Sequence, residues 1–273
     1  MSTLTFKILL PFKKSMTSVI STQGLTKKYQ KATVLKNINL EIQPGEVIGY
    51  IGPNGAGKST TIKIMTGIIP EFEGEVNVLG FDVRTQALEA KRKIGYIPEN
   101  AALYEVLTPL EYLSFVGQLY QLEQSIISSR AKELLNLFDL AKQMEMRMTT
   151  FSKGMKQKVL LIAGMLHNPD ILFLDEPLSG LDANAVILVK EILVQLKKSG
   201  KTIFYSSHIM DVVEKISDRI IIINKGEIIA NGSFTELNTA AQQGSLEDIF
   251  TQLTGNREHI EVAEQFIQAL TNK

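Results

Sequence analysis

Cysteine is absent from this 273-residue chain, which excludes a disulfide framework and any thiolate-ligated zinc site. Histidine is scarce, with three copies, so a His-rich metal centre is not expected either. Net charge is missing as well, because 29 Lys+Arg balance 29 Asp+Glu. The electrostatic footprint of a dedicated nucleic-acid binder is therefore lacking, and nucleic acid is not expected as a partner. Long apolar runs are also lacking. The longest covers residues 159–166, eight positions that include Gly164, whereas a spanning helix needs roughly 20. The chain is not expected to cross a membrane by itself. No internal repeat or low-complexity segment is found, which excludes a solenoid.

What is present is a 44% hydrophobic composition, enough for a substantial core in one large or two small domains. The first fourteen residues mix Phe6, Ile8, Leu9, Leu10 and Phe12 with Lys7, Lys13 and Lys14 around Pro11. The basic residues mostly follow the apolar ones and no small-residue cleavage site stands out, unlike a secretory signal. Residues 1–15 are expected to be a disordered leader, with a weak membrane-surface or partner contact as the alternative. Met16 is an alternative start.

From Val19 to about Asn39, β-prone runs broken by turn-forming and charged residues predict a small, partly antiparallel sheet. Pro44 and Gly45 mark a turn, and residues 46–51 read as a buried strand. A Gly-rich bend follows, then a helix over residues 59–69 with Ile62, Met65 and Ile69 on one stripe. Residues 108–140 read as helical, with Leu134, Leu137 and Phe138 on one face. The apolar helix of residues 159–166 stops at Asn168 and Pro169. Then come a strand at residues 171–174, an amphipathic helix through Val186, Val189, Ile192, Leu193 and Leu196, and strands at residues 202–206 and 220–223. This alternation predicts a largely parallel sheet with helices on its faces. Asn224, Lys225 and Gly226 predict a closing hairpin.

Three segments carry chemistry. Gly52, Pro53, Asn54, Gly55, Ala56, Gly57, Lys58, Ser59 and Thr60 match G-x-x-x-x-G-K-[ST] between a strand and a helix. The glycines let backbone N–H groups turn toward phosphate oxygens, and the helix N-terminus adds a favourable dipole. Lys58 supplies a mobile cation, and the Ser59 hydroxyl can ligate Mg²⁺. The apolar strand ending in Asp175 and Glu176 places two carboxylates where ligands bind in parallel sheets. Asp175 can hold Mg²⁺, and Glu176 can orient or deprotonate a water aimed at a γ-phosphate. The alternative is an acidic turn capping the next helix. Finally, Phe151, Ser152, Lys153, Gly154 and Met155 precede the apolar helix with Ser152 as a capping residue, a second potential anion site or an ordinary cap.

In this order, the three segments resemble the nucleotide-binding subunit of an ABC transporter, over about residues 19–255. The first looks like the Walker A loop, the strand ending in Asp175 like Walker B, and residues 151–155 like the family signature, usually LSGGQ. Phe151 replaces Leu, Lys153 the first Gly and Met155 the Gln, while Ser152 and Gly154 remain. Ser179, Gly180, Leu181 and Asp182 are similar to the loop that crosses the family's dimer interface. His208, after Ser206 and Ser207, matches the switch histidine. Tyr29 stands at the place of the adenine-stacking aromatic; its alternative is a sheet-packing tyrosine. Glu99 occupies a hinge loop where the family often has Gln, with a plain surface residue as the alternative.

The resemblance implies an α/β fold: a P-loop NTPase (RecA-like) core with a mostly parallel sheet, an N-terminal antiparallel β subdomain and a helical subdomain insertion. Residues 16–240 would form the nucleotide-binding domain, about 100–155 its helical subdomain, and 241–273 a C-terminal helical extension. It implies ATP and Mg²⁺ as cofactors, with Tyr29, residues 52–60, Glu99, Ser152, Gly154 and Asp182 at the nucleotide and Ser59 and Asp175 at the metal. Lys58, Glu176 and His208 would serve hydrolysis. It also implies a head-to-tail homodimer or heterodimer, each ATP lying between Lys58 of one subunit and Ser152 and Gly154 of the other. A separate membrane-spanning permease would dock around residues 99–115, placing the chain peripherally on the cytoplasmic face.

The signature variant, Glu99 and the tail of residues 245–255 look like the drug- and polysaccharide-export branch; the tail is equally compatible with a generic docking helix. A rival is a soluble ABC-type ATPase acting on ribosomes or DNA, although the paired cassettes or long coiled coils typical of such proteins are missing. A small-molecule kinase would have no reason to carry Ser152, Ser179 and His208 in this order.

Overall fold

The computed structural model describes residues 8–9, 18–30, 32–99, 103–241, 244–255 and 258–271. The expected disordered leader falls mostly outside them. Its described part, β1 (Ile8–Leu9), pairs in parallel with Ala230 and Asn231.

The first half of the chain gives β2 (Ile20–Tyr29), β3 (Ala32–Ile42), β4 (Val47–Ile51), α1 (Lys58–Met65), β5 (Glu73–Val78), β6 (Phe81–Asp82), α2 (Ala87–Lys91) and β7 (Ile94–Ile97). Three helices follow, α3 (Pro109–Leu119), α4 (Gln124–Leu137) and α5 (Lys153–Met165). Then come β8 (Ile171–Asp175), α6 (Ala183–Lys198), β9 (Thr202–Ser206), α7 (Met210–Ile216), β10 (Arg219–Asn224), β11 (Glu227–Gly232), α8 (Phe234–Ala240), α9 (Leu246–Thr254) and α10 (Glu258–Thr271).

The strands form two sheets, in the orders β1-β11-β10-β4-β9-β8-β7 and β3-β2-β5-β6. In the larger sheet β10, β4, β9, β8 and β7 are parallel neighbours, while β11 returns antiparallel to β10 through the predicted hairpin. The smaller sheet is antiparallel throughout. The expected α/β architecture is thus present.

The core strands are apolar on both faces because the larger sheet is covered on both. Their side chains alternate between two cores. Ile48, Tyr50, Phe173, Phe204, Ile221 and Ile223 pack with α1 and the small sheet. Val47, Ile51, Leu172, Leu174, Ile203 and Ile222 pack with residues of α5, α6 and α7.

Local readings differ from the structure in a few places. In α4 the buried face is Ile127, Ala131 and Leu135, continued by Phe138, whereas Leu137, expected to be buried, is 59% exposed. A one-residue phase error in a helix of 3.6-residue period suffices to misplace it. Helix α1 ends at Met65, not Ile69: the last turn tightens as Gly67 N–H donates to Ile64 O, and Gly67 leaves the helix in the left-handed region at φ 66°. Strands β5 and β6 were not anticipated, since Glu73, Gly74 and Glu75 hide the alternation that Val76 and Val78 carry. The tail helix α9 is held by a Ser245/Asp248 capping box and buries Leu246, Ile249 and Leu253. Among the described residues, no helix is long and apolar enough to cross a membrane.

Candidate active site

The Gly-rich loop leaves β4 and enters α1 as its sequence requires. Gly57 caps the helix at φ 111°, a conformation denied to side-chain-bearing residues, and a Cβ there would lie 2.5 Å from Leu35 Cδ2. No side chain caps α1, so its first N–H groups are free to meet an anion. The helix is fastened from behind. The Thr61 hydroxyl donates to the Gly57 carbonyl at 2.9 Å and lies 3.2 Å from the buried Tyr50 hydroxyl. The hairpin braces the loop through Gly226 N–H to Ala56 O at 3.1 Å. Lys58 is 9% exposed, and its ammonium donates to Gly52 O at 2.7 Å and Pro53 O at 3.4 Å.

The two acids stand at the end of β8. Asp175 is 2% exposed and accepts a 2.6 Å bond from the Ser206 hydroxyl, which belongs to the neighbouring strand β9. Glu176 sits in the left-handed region at φ 50°, and its N–H donates to Ser206 O at 3.1 Å. Along a continuing strand the two adjacent carboxylates would point to opposite faces; the turn at Glu176 breaks that alternation, and both acids line one cavity. Glu176 Oε2 lies 2.8 Å from His208 Nδ1 and accepts from the His208 N–H at 3.4 Å. Two phenols flank these acids. Burial, then the charge of Asp175, pushes the Tyr96 pKa up; burial and, to a lesser extent, Glu176 do the same for Tyr205.

A cavity of about 680 Å³ is lined by residues 53–60, Val34, Glu99, Asp175, Glu176 and His208. The structure thus brings Lys58, Ser59, Thr60, both strand-end acids, Glu99 and His208 to one place, and Gly52 contributes its carbonyl beneath Lys58.

Tyr29, Ser152, Gly154 and Asp182 do not line it. Tyr29 is 44% exposed at the end of β2, with Lys27 Nζ 4.8 Å from its ring centroid. Ser152 is an exposed cap of α5, accepting from Met155 N–H at 3.2 Å. Asp182 caps α6 through Ala185 N–H at 2.9 Å, and that bond holds its carboxyl below the usual range. Lys153 donates to Ser179 Oγ at 3.1 Å, joining the signature segment to the loop before α6. Sequence reasoning missed that link, and it missed Ser206 as a partner of Asp175; only the β8/β9 register reveals the latter.

The ABC transporter family matches residues 35–179. The linearmycin resistance ATP-binding protein LnrL of Bacillus subtilis is 39% identical, over 80% of this chain and 70% of its own length. The chain belongs to the ABC transporter family. Within it, the chain is the ATP-binding cassette, an ATPase. A solved ATP-binding subunit of an ABC transporter superposes with a TM-score of 0.82 at 32% identity, covering 87% of this chain and 100% of that one. A dimeric post-hydrolysis cassette bound to ADP and Pi superposes at 0.73 with 27% identity, covering 78% and 98%.

Proposed function

We propose that this cassette binds Mg²⁺-ATP, closes on a second cassette and drives export through a separate membrane-spanning permease. The observation that carries the reading is that one cavity is lined by Lys58, Ser59, Asp175, Glu176, Glu99 and His208, while Ser152 and Gly154 of the same chain do not line it. Such a division suits two half-sites completed by head-to-tail pairing. That a similar cassette is dimeric when bound to ADP and Pi supports the pairing of two cassettes. The export direction draws support from the resistance role in the name of LnrL.

The donor set fits a hard divalent cation: a serine hydroxyl and a carboxylate, both lining the cavity. Bound there, Mg²⁺ would neutralise charge on the phosphate oxygens. Lys58 and the free N–H groups of α1 bind and orient the phosphates. Glu176 takes a proton from the attacking water as its oxygen bonds to the γ-phosphorus, while the bond to the ADP oxygen breaks. His208, with a proton on Nδ1, donates to Glu176 and holds its carboxylate in place. Glu99 reports partner binding to the site. Ser152 and Gly154 present the α5 N-terminus to the nucleotide on the other subunit, Asp182 belongs to the loop that crosses between the subunits, and Tyr29 stacks on the adenine.

Location follows from the partner: peripheral, on the cytoplasmic face. Tyr104, Val106 and Phe115 are exposed by 59%, 63% and 41%, and the rings of Tyr104 and Phe115 meet edge to face at 5.7 Å, which suits the dock; residues 100–102 of that segment lie outside the described ones. Mild-detergent purification from native membranes should bring down a polytopic protein that stimulates the ATPase. Recovery of ribosomes in its place would overturn the transport reading.

A further inference from the structure

Ser206 has no part in the mechanism above, yet it touches both acids. Its side chain is wholly buried at the end of β9, in register with Asp175. At 2.6 Å, its bond to Asp175 Oδ1 is in the range of a charge-assisted O–H···O⁻ contact. Its carbonyl accepts from Glu176 N–H, at the left-handed turn that sends Glu176 toward His208. Ser207, the adjacent hydroxyl, is engaged elsewhere, accepting from Ile209 N–H at 3.0 Å.

We propose that Ser206 is a positioning residue for the cation site: its hydroxyl fixes the Asp175 carboxylate by one oxygen and leaves the other for the metal. This rests on the assignment of Asp175 as a metal ligand of bound ATP. The torsion that turns a carboxylate is broad and roughly two-fold, so one strong donor decides how its oxygens point. A buried strand end filled only for packing would take valine. A hydroxyl there has a desolvation cost that its bond to Asp175 offsets.

The test uses the full chain and a non-hydrolysable ATP analogue, AMP-PNP, with affinity measured in excess Mg²⁺ and again in EDTA. Ser206→Ala should lower the ratio of the two affinities about 10- to 100-fold, the usual effect of losing an outer partner of a metal ligand. Affinity in EDTA should stay within about twofold of wild type. The electron paramagnetic resonance line of Mn²⁺ bound with AMP-PNP should broaden in the same variant. Ser206→Thr, which keeps the hydroxyl, should restore both readouts. Should Ser206→Ala fail to fold, Ser206→Cys carries the test, with an intermediate ratio expected from its weak donor. An unchanged ratio in a folded variant, or an equal loss with and without metal, overturns the proposal. A wild-type chain that binds AMP-PNP equally in Mg²⁺ and EDTA removes the metal assignment first, and the role of Ser206 with it.

Discussion

Helices α1 and α5 both start from loops suited to anions, yet the chain treats the two starts differently. At α1 the cap is Gly57, with no side-chain bond to the first turn, and the surrounding Lys58, Asp175 and Glu176 are 9%, 2% and 8% exposed. At α5 the cap is Ser152, which already satisfies Met155 N–H, and both Ser152 and Lys153 face outward. One helix start keeps its donors for a ligand inside its own walls. The other caps itself and offers its end to a surface. One chain therefore gathers Lys58, Asp175 and Glu176 around one cavity, whereas the signature segment, on the reading proposed above, serves the nucleotide of another subunit.

The largest test of the enclosed half is Lys58→Ala. It removes the buried cation of a site otherwise built from backbone dipoles, and productive ATP binding should be abolished. Unchanged ATP turnover would sink the assignment of the loop. Next in size is Glu176→Gln, which keeps the shape and leaves Asp175 in place while removing the carboxylate that the proposed mechanism uses as base. Hydrolysis should fall by about 10² to 10⁴, with ATP affinity retained. Because ATP held between two copies stabilises their pairing by linkage, this variant should run as a dimer with Mg²⁺-ATP in size-exclusion chromatography with light scattering. A variant that loses hydrolysis yet stays monomeric at saturating ATP would leave a heterodimer as the arrangement.

The two halves were also unequally legible in the sequence. The enclosed half was readable because its chemistry is contiguous: a Gly-rich loop before a helix stripe, and two acids ending an apolar strand. Its cross-strand supports were not. Ser206 on Asp175 and Thr61 under Tyr50 depend on register and on helix docking, which one sequence does not encode at short range. For the signature, the capping pattern was legible in Ser152, while the tie from Lys153 to Ser179 spans 26 positions and required the fold. Strands β5 and β6 escaped for a plainer reason. The exposed face of β5 is charged and its buried face short, and β6 is only two half-buried residues, too little pattern against a background of turns.

The outward half is tested through Gly154 and Ser152. A Cβ at Gly154 would lie 2.7 Å from Gly180 O, a backbone atom, so Gly154→Val must push the loop before α6 away. ATP binding by the single chain should be nearly unchanged, while the ATP-dependent dimer of the Glu176→Gln background should be lost. Ser152→Ala is milder. It should cost about 1 kcal/mol in unfolding free energy for the missing cap and weaken the dimer less than Gly154→Val. If either substitution lowers ATP affinity of the single chain as much as Lys58→Ala does, the two halves are not separate and the comparison breaks.

The smallest effect is expected at Glu99, which lines the cavity and begins the segment that leads to Tyr104 and Phe115. A carboxylate there can only accept hydrogen bonds, whereas the glutamine common in the family can also donate. Glu99→Gln should leave nucleotide affinity and basal hydrolysis nearly intact, since Lys58, Asp175 and Glu176 are untouched. What should change is the degree to which the membrane partner stimulates hydrolysis, by about twofold to tenfold, because one hydrogen bond that forms in only one state has a net worth of about 0.5–1.5 kcal/mol. The measurement is ATPase activity of the cassette alone and with the co-purified permease. Identical stimulation in wild type and variant would reduce Glu99 to a surface residue, and the coupling route would then have to run through the apolar patch alone.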